Sequence, residues 1–162
     1  SVYFKPVDKF KTLLPRKPGG WRIRIRMSVY DLLMQRTLEA APNETGGILI
    51  GLVARKQKTI FITRQLDAPD DSESYPYAFK MGVNDVPDQV RMIMAKTGNL
   101  IRYVGEWHSH PKGPSTLSLK DQETLEQLRT NLNKIGMPTL IMVVTPGGCY
   151  PHLSLPTQNN GY

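Results

Sequence analysis

The sequence predicts a mixed α/β (α+β) domain in which one β-sheet is flanked by about three helices. Three observations predict it. The chain has 162 residues, 40% apolar and 22% charged, enough for one domain with a sizeable core and too few for two. Short apolar runs of strand character alternate with longer segments of helical period. One run, MPTLIMVVT at 137–145, is apolar almost throughout, as a central strand covered on both faces must be.

The elements follow in order. Residues 1–20 contain Pro6, Pro15 and Pro18 and close on Gly19-Gly20, so they read as a basic linker or N-terminal arm ahead of a domain spanning 21–156. WRIRIR (21–26) alternates apolar and basic residues, the pattern of a half-exposed strand. Ser28, with Asp31 three residues on, has the spacing of a capping box. It opens the helix MSVYDLLMQRTLEA, which places Val29, Leu32, Leu33 and Leu38 on one side and ends before Pro42. NETGGILIGLV (43–53) is a turn leading into an apolar strand, and KTIFITRQLD (58–67) is its hairpin partner. Residues 68–84 are irregular and acidic, with YAFKM (77–81) as a short strand inside them. A long irregular segment in a compact domain reads as a functional flap. Asn84 or Asp85 caps a helix that carries Pro87 in its first turn, runs through Val90, Ile93 and Met94, and stops at Gly98. LIRYVGEWHSH (100–110) is a strand; a Pro/Gly loop and a helix from Ser118 to about Asn133 follow it. CYPHLSL (149–155) is an edge strand, because Pro151 lacks a ladder donor. TQNNGY (157–162) reads as a disordered tail.

The net charge of +7 is unevenly placed. Residues 1–26 hold eight basic side chains against Asp8 alone, and the rest of the chain is neutral. The basic segment could meet nucleic acid or an acidic partner, but no nucleic-acid-binding motif accompanies it, and a solvated linker is the better reading. No apolar run approaches the roughly 20 residues of a membrane span. Cys149 is the single cysteine, which precludes an internal disulfide, fits a reducing cytoplasm, and reads as a small strand residue rather than a nucleophile.

The chemistry concentrates in EWHSHPKGPSTLSLKD (106–121). Strand residues two apart share a face, so His108 and His110 would project together, and Asp121 could add a third ligand from the next element. Two nitrogens and one oxygen, with a fourth position open, is the donor set of a catalytic zinc rather than a structural one. Such an ion brings the pKa of a bound water to about 7. Amide hydrolysis also needs a carboxylate that takes up a proton and returns it to the leaving amine, and a donor for the oxyanion. Ser118, between the second histidine and Asp121, is the candidate donor. Glu44 is the candidate base. The Gly46-Gly47 pair that follows it at the head of an apolar strand points to close approach by another backbone or a substrate. Each residue has a structural alternative. Ser118 and Asp121 also form an S-x-x-D capping box. Glu44 alone would be a turn carboxylate. Glu106 competes as the base only if it shares the histidines' face, and reads better as a surface carboxylate. His152 reads as a surface or core histidine.

His108-Ser109-His110, seven residues, Ser118, two residues, Asp121 matches H-x-H-x7-S-x-x-D, the motif of the JAB/MPN metalloenzyme (JAMM) family, and ETGGILIG resembles the segment carrying that family's catalytic glutamate. The resemblance covers nearly everything after residue 21, and the form VGEWHSHPKGP is most similar to the prokaryotic branch. It implies a curved mixed sheet between helices, a cytidine-deaminase-like architecture. It also implies a zinc isopeptidase with His108, His110 and Asp121 as ligands, Glu44 as general acid/base and Ser118 at the oxyanion. The implied substrate is the tail of a ubiquitin-like protein or of a protein conjugated in that manner. The prokaryotic branch includes deconjugating peptidases of antiphage operons beside cGAS-like nucleotidyltransferases, and JAB domains fused to ubiquitin-activating-type enzymes. The basic arm is a candidate join to such a partner. Two other readings belong to different classes: an inactive scaffold, which the complete ligand set disfavours, and a nucleic-acid-associated protein acting through residues 1–26.

Overall fold

The computed structural model describes residues 8–16, 19–84, 86–133 and 136–156. Seven strands form one sheet: β1 (Phe10–Leu13), β2 (Arg22–Arg26), β3 (Gly46–Ala54), β4 (Thr59–Asp67), β7 (Arg102–Ser109), β8 (Thr139–Thr145) and β9 (Gly148–Ser154). A separate hairpin is made by β5 (Glu73–Tyr75) and β6 (Ala78–Lys80). The helices are α1 (Met27–Ala40), α2 (Val86–Lys96) and α3 (Leu119–Asn133). The strand order is β1-β2-β4-β3-β7-β8-β9. The β2/β4 and β7/β8 pairs are parallel and the others antiparallel. The sheet curls until Arg16, just past β1, bridges to His152 of β9, so its two edges approach each other.

The alternation in RIRIR does what its pattern implies: Ile23 and Ile25 are fully buried while the arginines face outward. They join Leu33 of α1, Ile60, Ile62, Trp107 and the inner residues of β8 in the main core. A smaller core on the other face is made by Ile48, Ile50 and Leu66, against which Val90 and Ile93 of α2 pack. Every residue of β8 is buried, as the unbroken apolar run requires. β9 closes the sheet as an end strand, with Pro151 opposite Met142.

Three local readings are corrected. First, α1 begins at Met27 without a side-chain cap from Ser28 or Asp31. Its first N–H groups are met from the N-terminal segment instead. Met27 N–H donates to the Lys9 carbonyl at 2.7 Å, and Ser28 donates through both its hydroxyl and its N–H to the Asp8 carboxylate. Second, Leu38 is 65% exposed. The inward stripe of α1 is Val29, Leu33 and Thr37, at the four-residue spacing of one helix face. Third, part of the arm is not a linker: Phe10–Leu13 pairs with β2 as β1. The expected tail at 157–162 and the cap at Asp85 lie outside the described residues.

The flap expected at 68–84 takes the form of the β5/β6 hairpin. Its base is closed by Asp71, which accepts the N–H groups of Val83 (2.9 Å) and Asn84 (3.1 Å), and by the Ser72 hydroxyl, which accepts that of Gly82 (2.9 Å).

Candidate metal centre and substrate clefts

β7 carries the first histidine. His108 is the penultimate residue of the strand, and His110 lies just beyond its end, held by an N–H donated to the Val144 carbonyl of β8 at 2.8 Å. The side-chain alternation survives across that boundary. The two imidazoles lie on one side with centroids 5.0 Å apart, while Trp107 is buried in the main core and Ser109 is fully buried between them. Asp121 arrives from the first turn of α3. Its Oδ2 lies 3.1 Å from His108 Nε2 and 3.1 Å from His110 Nε2, and ligand atoms of all three residues fall within 4.8 Å of one another.

Ser118 and Asp121 do form the capping box: Ser118 N–H donates to Asp121 Oδ2 at 2.9 Å, and Asp121 N–H donates to Ser118 Oγ at 3.1 Å. The structural and chemical readings of this pair therefore coexist. The box fixes the rotamer that aims the carboxylate at the histidines.

The donor set fits a divalent ion. Among the described residues, His108 Nε2 is buried yet makes no hydrogen bond, although Asp121 Oδ2 is within reach. His110 Nδ1 lies 2.8 Å from the Pro114 carbonyl. That carbonyl can only accept, so Nδ1 bears a proton, and Nε2, which faces Asp121, is the nitrogen that a metal would take in place of a proton. Burial raises the Asp121 carboxyl, but the His108 and His110 imidazoles and the Ser118 N–H outweigh it and hold the group far below the usual carboxylate range. The Asp121 hydrogen bond raises His110 above its ordinary value against the opposing effect of burial. A carboxylate pinned between two imidazoles is the arrangement a cation in their midst would stabilise.

Glu44 lies in the turn before β3. Its N–H donates to the Tyr75 carbonyl of the flap at 2.8 Å. The next residue is clamped from both sides by Ser109, whose Oγ accepts Thr45 N–H at 2.9 Å and whose N–H donates to the Thr45 carbonyl at 2.8 Å. Burial raises the Glu44 carboxyl above its ordinary value, partly countered by His110 and His108. The two glycines that follow are required by close approach. A Cβ on Gly46 would lie 2.5 Å from the Trp107 carbonyl and 2.6 Å from the Phe79 ring, and one on Gly47 would lie 2.5 Å from the Leu66 carbonyl. The flap thus packs directly onto the strand that leads out of Glu44.

Two clefts flank the His/Asp cluster. One, of about 300 Å³, runs between Phe79 and Met81 of the flap and Asp121 and Leu128 of α3, with Glu106 and His108 of β7 in its lining. The other, of about 220 Å³, is lined by Glu44, His110, Ser118, Tyr77, Pro111 and Leu117. All five residues singled out in the sequence therefore converge on one locale.

Two residues escaped the sequence reading. Ser109 is the clamp on Thr45, and its signal was the small polar residue between the histidines. Glu106 is not a surface carboxylate: it is half-buried in the wall of the larger cleft, and burial raises its carboxyl. Its signal was the alternation that places it on the face of His108. His152 proves to be a core histidine. It is 8% exposed, its Nε2 lies 2.8 Å from the Ser115 carbonyl, and burial lowers its pKa. Cys149 is buried in β9, with its thiol pushed up to about 12 by burial.

This fold and this cluster place the chain in a defined class. Residues 27–151 match the family of prokaryotic homologs of the JAB domain, and the chain belongs to that family. Among individual proteins, it is 29% identical over 132 residues to one from Enterobacter hormaechei subsp. hoffmannii (strain UCI 50) named CD-NTase/cGAS isopeptidase, a match covering 80% of this chain and 72% of that protein. The solution structure of a protein from Desulfitobacterium hafniense is similar at 20% identity over 80% of each chain, with a TM-score of 0.46.

Proposed function

We propose that the protein is a zinc-dependent deconjugating peptidase. It hydrolyses the peptide or isopeptide bond that follows the C-terminal tail of a ubiquitin-like protein, or of a protein conjugated in that manner. The observation that carries this reading is the single carboxylate oxygen of Asp121 placed 3.1 Å from two imidazole nitrogens, one of them buried without a hydrogen bond.

His108, His110 and Asp121 would hold the zinc. When bound, the ion supplies Lewis acidity and a nucleophile at neutral pH. The remaining work belongs to the chain. Glu44, raised by burial toward neutrality, is suited to take up a proton and return it to the leaving amine. The Ser118 hydroxyl accepts the Asp121 N–H, so its own proton is free to stabilise negative charge on the carbonyl oxygen. The Pro114 carbonyl fixes the His110 tautomer. The flap covers the cleft, and β6, whose only strand partner among the described residues is β5, offers an edge to an extended tail.

The name of the Enterobacter relative supports a nucleotidyltransferase of the CD-NTase/cGAS kind as the conjugated protein. The chain would then act in the cytoplasm in antiphage defence, alongside a ubiquitin-activating-type enzyme that forms the conjugate. Among the described residues no helix is long and apolar enough to cross a membrane.

The test is cleavage of two reporters, a tail joined to a lysine side chain and the same tail as a linear fusion. Cleavage of at least one, abolished by a zinc chelator and restored by zinc, is expected. Cleavage that persists after the metal is stripped contradicts the mechanism.

A further inference from the structure

The larger cleft contains a carboxylate that the chemistry above does not use. Glu106 lies two residues before His108 on the same face of β7 and lines the cleft with it. It is half-buried, and among the described residues no lysine or arginine forms an ion pair with it. Its polar neighbours are the buried Tyr103 hydroxyl and the His108 ring. A half-buried carboxylate without a cation is unfavourable, so the cleft holds a group that a cationic ligand would complete.

Resting on the proposed peptidase reading, the arrangement of the two clefts orients the substrate. The leaving amine takes its proton from Glu44, which lines the smaller cleft. The acyl tail must then occupy the larger one. Along a strand, two residues span roughly 7 Å. An extended tail paired to the β6 edge and lying over the face of β7 therefore sets its second or third residue before the scissile carbonyl over Glu106. We propose that Glu106 selects tails with a cationic side chain, arginine or lysine, at that place. Lys80 and Lys120 also line this cleft, but both are exposed at its rim. Their solvated charges are the competing influence, favouring an acidic tail instead.

The experiment uses fluorescent hexapeptides with a free C-terminus, differing only in whether the second and third residues from that end are arginine, methionine or glutamate. Binding to the zinc-loaded wild type and to Glu106→Gln is read by polarisation, with zinc content and thermal midpoint measured on both. The arginine peptide is expected to bind the wild type about tenfold or more tightly than the methionine peptide, the scale of a charge-assisted hydrogen bond. That advantage should shrink to about twofold in Glu106→Gln, which removes the charge but keeps the shape. The wild-type ranking stands even if the variant fails to fold. Equal binding of all three peptides, tighter binding of the glutamate peptide, an arginine preference that survives in a zinc-replete Glu106→Gln, or no binding at all overturns the assignment. Hydrolysis of the tail reporters without tail preference defeats this inference alone. Selective binding without hydrolysis defeats the peptidase reading instead.

Discussion

Gly46→Ala tests whether the glycines at the head of β3 are there to let strand and flap meet at the site. The added methyl would sit 2.5 Å from the Trp107 carbonyl oxygen and 2.6 Å from Phe79 Cε1. Cβ contacts shorter than 3.0 Å are essentially never observed, so about half an ångström of movement is required. Phe79 can swing away by moving the flap. The Trp107 carbonyl cannot, because it is backbone in β7, one residue from His108, and Gly46 pairs with His108 in the ladder. Overpacking of this kind costs about 2 kcal/mol, which for a chain of this length lowers the thermal midpoint by about 4–8 °C. Because the displaced backbone carries His108, zinc affinity should fall as well. The assay is thermal denaturation of the metal-free and zinc-loaded forms, with zinc affinity read by chelator competition. Gly98→Ala is the control: that position also strains a side chain, with φ +59°, but a Cβ there meets nothing within 4 Å and lies far from the site in the chain. A Gly46→Ala protein with wild-type midpoint and wild-type zinc affinity would refute the close-approach argument.

Three further outcomes are expected. Glu44→Ala should keep its zinc and lose about 10²–10⁴-fold in turnover on a tail reporter, the usual contribution of a positioned acid/base; undiminished turnover removes Glu44 from that role. Ser109→Ala leaves the Thr45 N–H without its side-chain acceptor, so about 1–3 kcal/mol of stability should be lost in denaturant unfolding, with turnover reduced through the displaced Glu44 turn; wild-type stability and turnover would show that the clamp does not matter. His152 is held below its ordinary pKa by burial, so the unfolded chain takes up its proton at a higher pH than the fold does. Its contribution to stability is complete above the ordinary histidine range and is lost as pH falls below about 6.5 toward the folded value. The metal-free His152→Gln protein should therefore show a flatter thermal midpoint between about pH 7 and 5 than the metal-free wild type. An unchanged slope argues against a buried neutral histidine.

What the sequence made legible was whatever has a short period or a fixed spacing. The alternation in RIRIR, the apolar run of β8 and the His-x-His pair each follow from local geometry, and each lies where the pattern placed it. The convergence of Glu44 on the cluster came from a motif resemblance, not from periodicity, since 64 residues separate Thr45 from its clamp Ser109. Contacts made at long range were illegible. Asp8 caps α1 from 20 residues away, so a capping box written locally in Ser28 and Asp31 is not used. β1 emerges from a proline-flanked segment because β2 offers it an edge. Glu106 looked like a surface acid because a strand's alternation does not say which face the flap and α3 will roof over.

The central claim is that His108, His110 and Asp121 form a zinc site. It is tested most directly by the zinc content of the purified protein, measured in parallel for wild type and His108→Ala. About one zinc per chain in the wild type and none in the variant is the expected result. A wild-type protein that carries no zinc and takes none up on addition, or a His108→Ala variant that keeps its full complement, would contradict it.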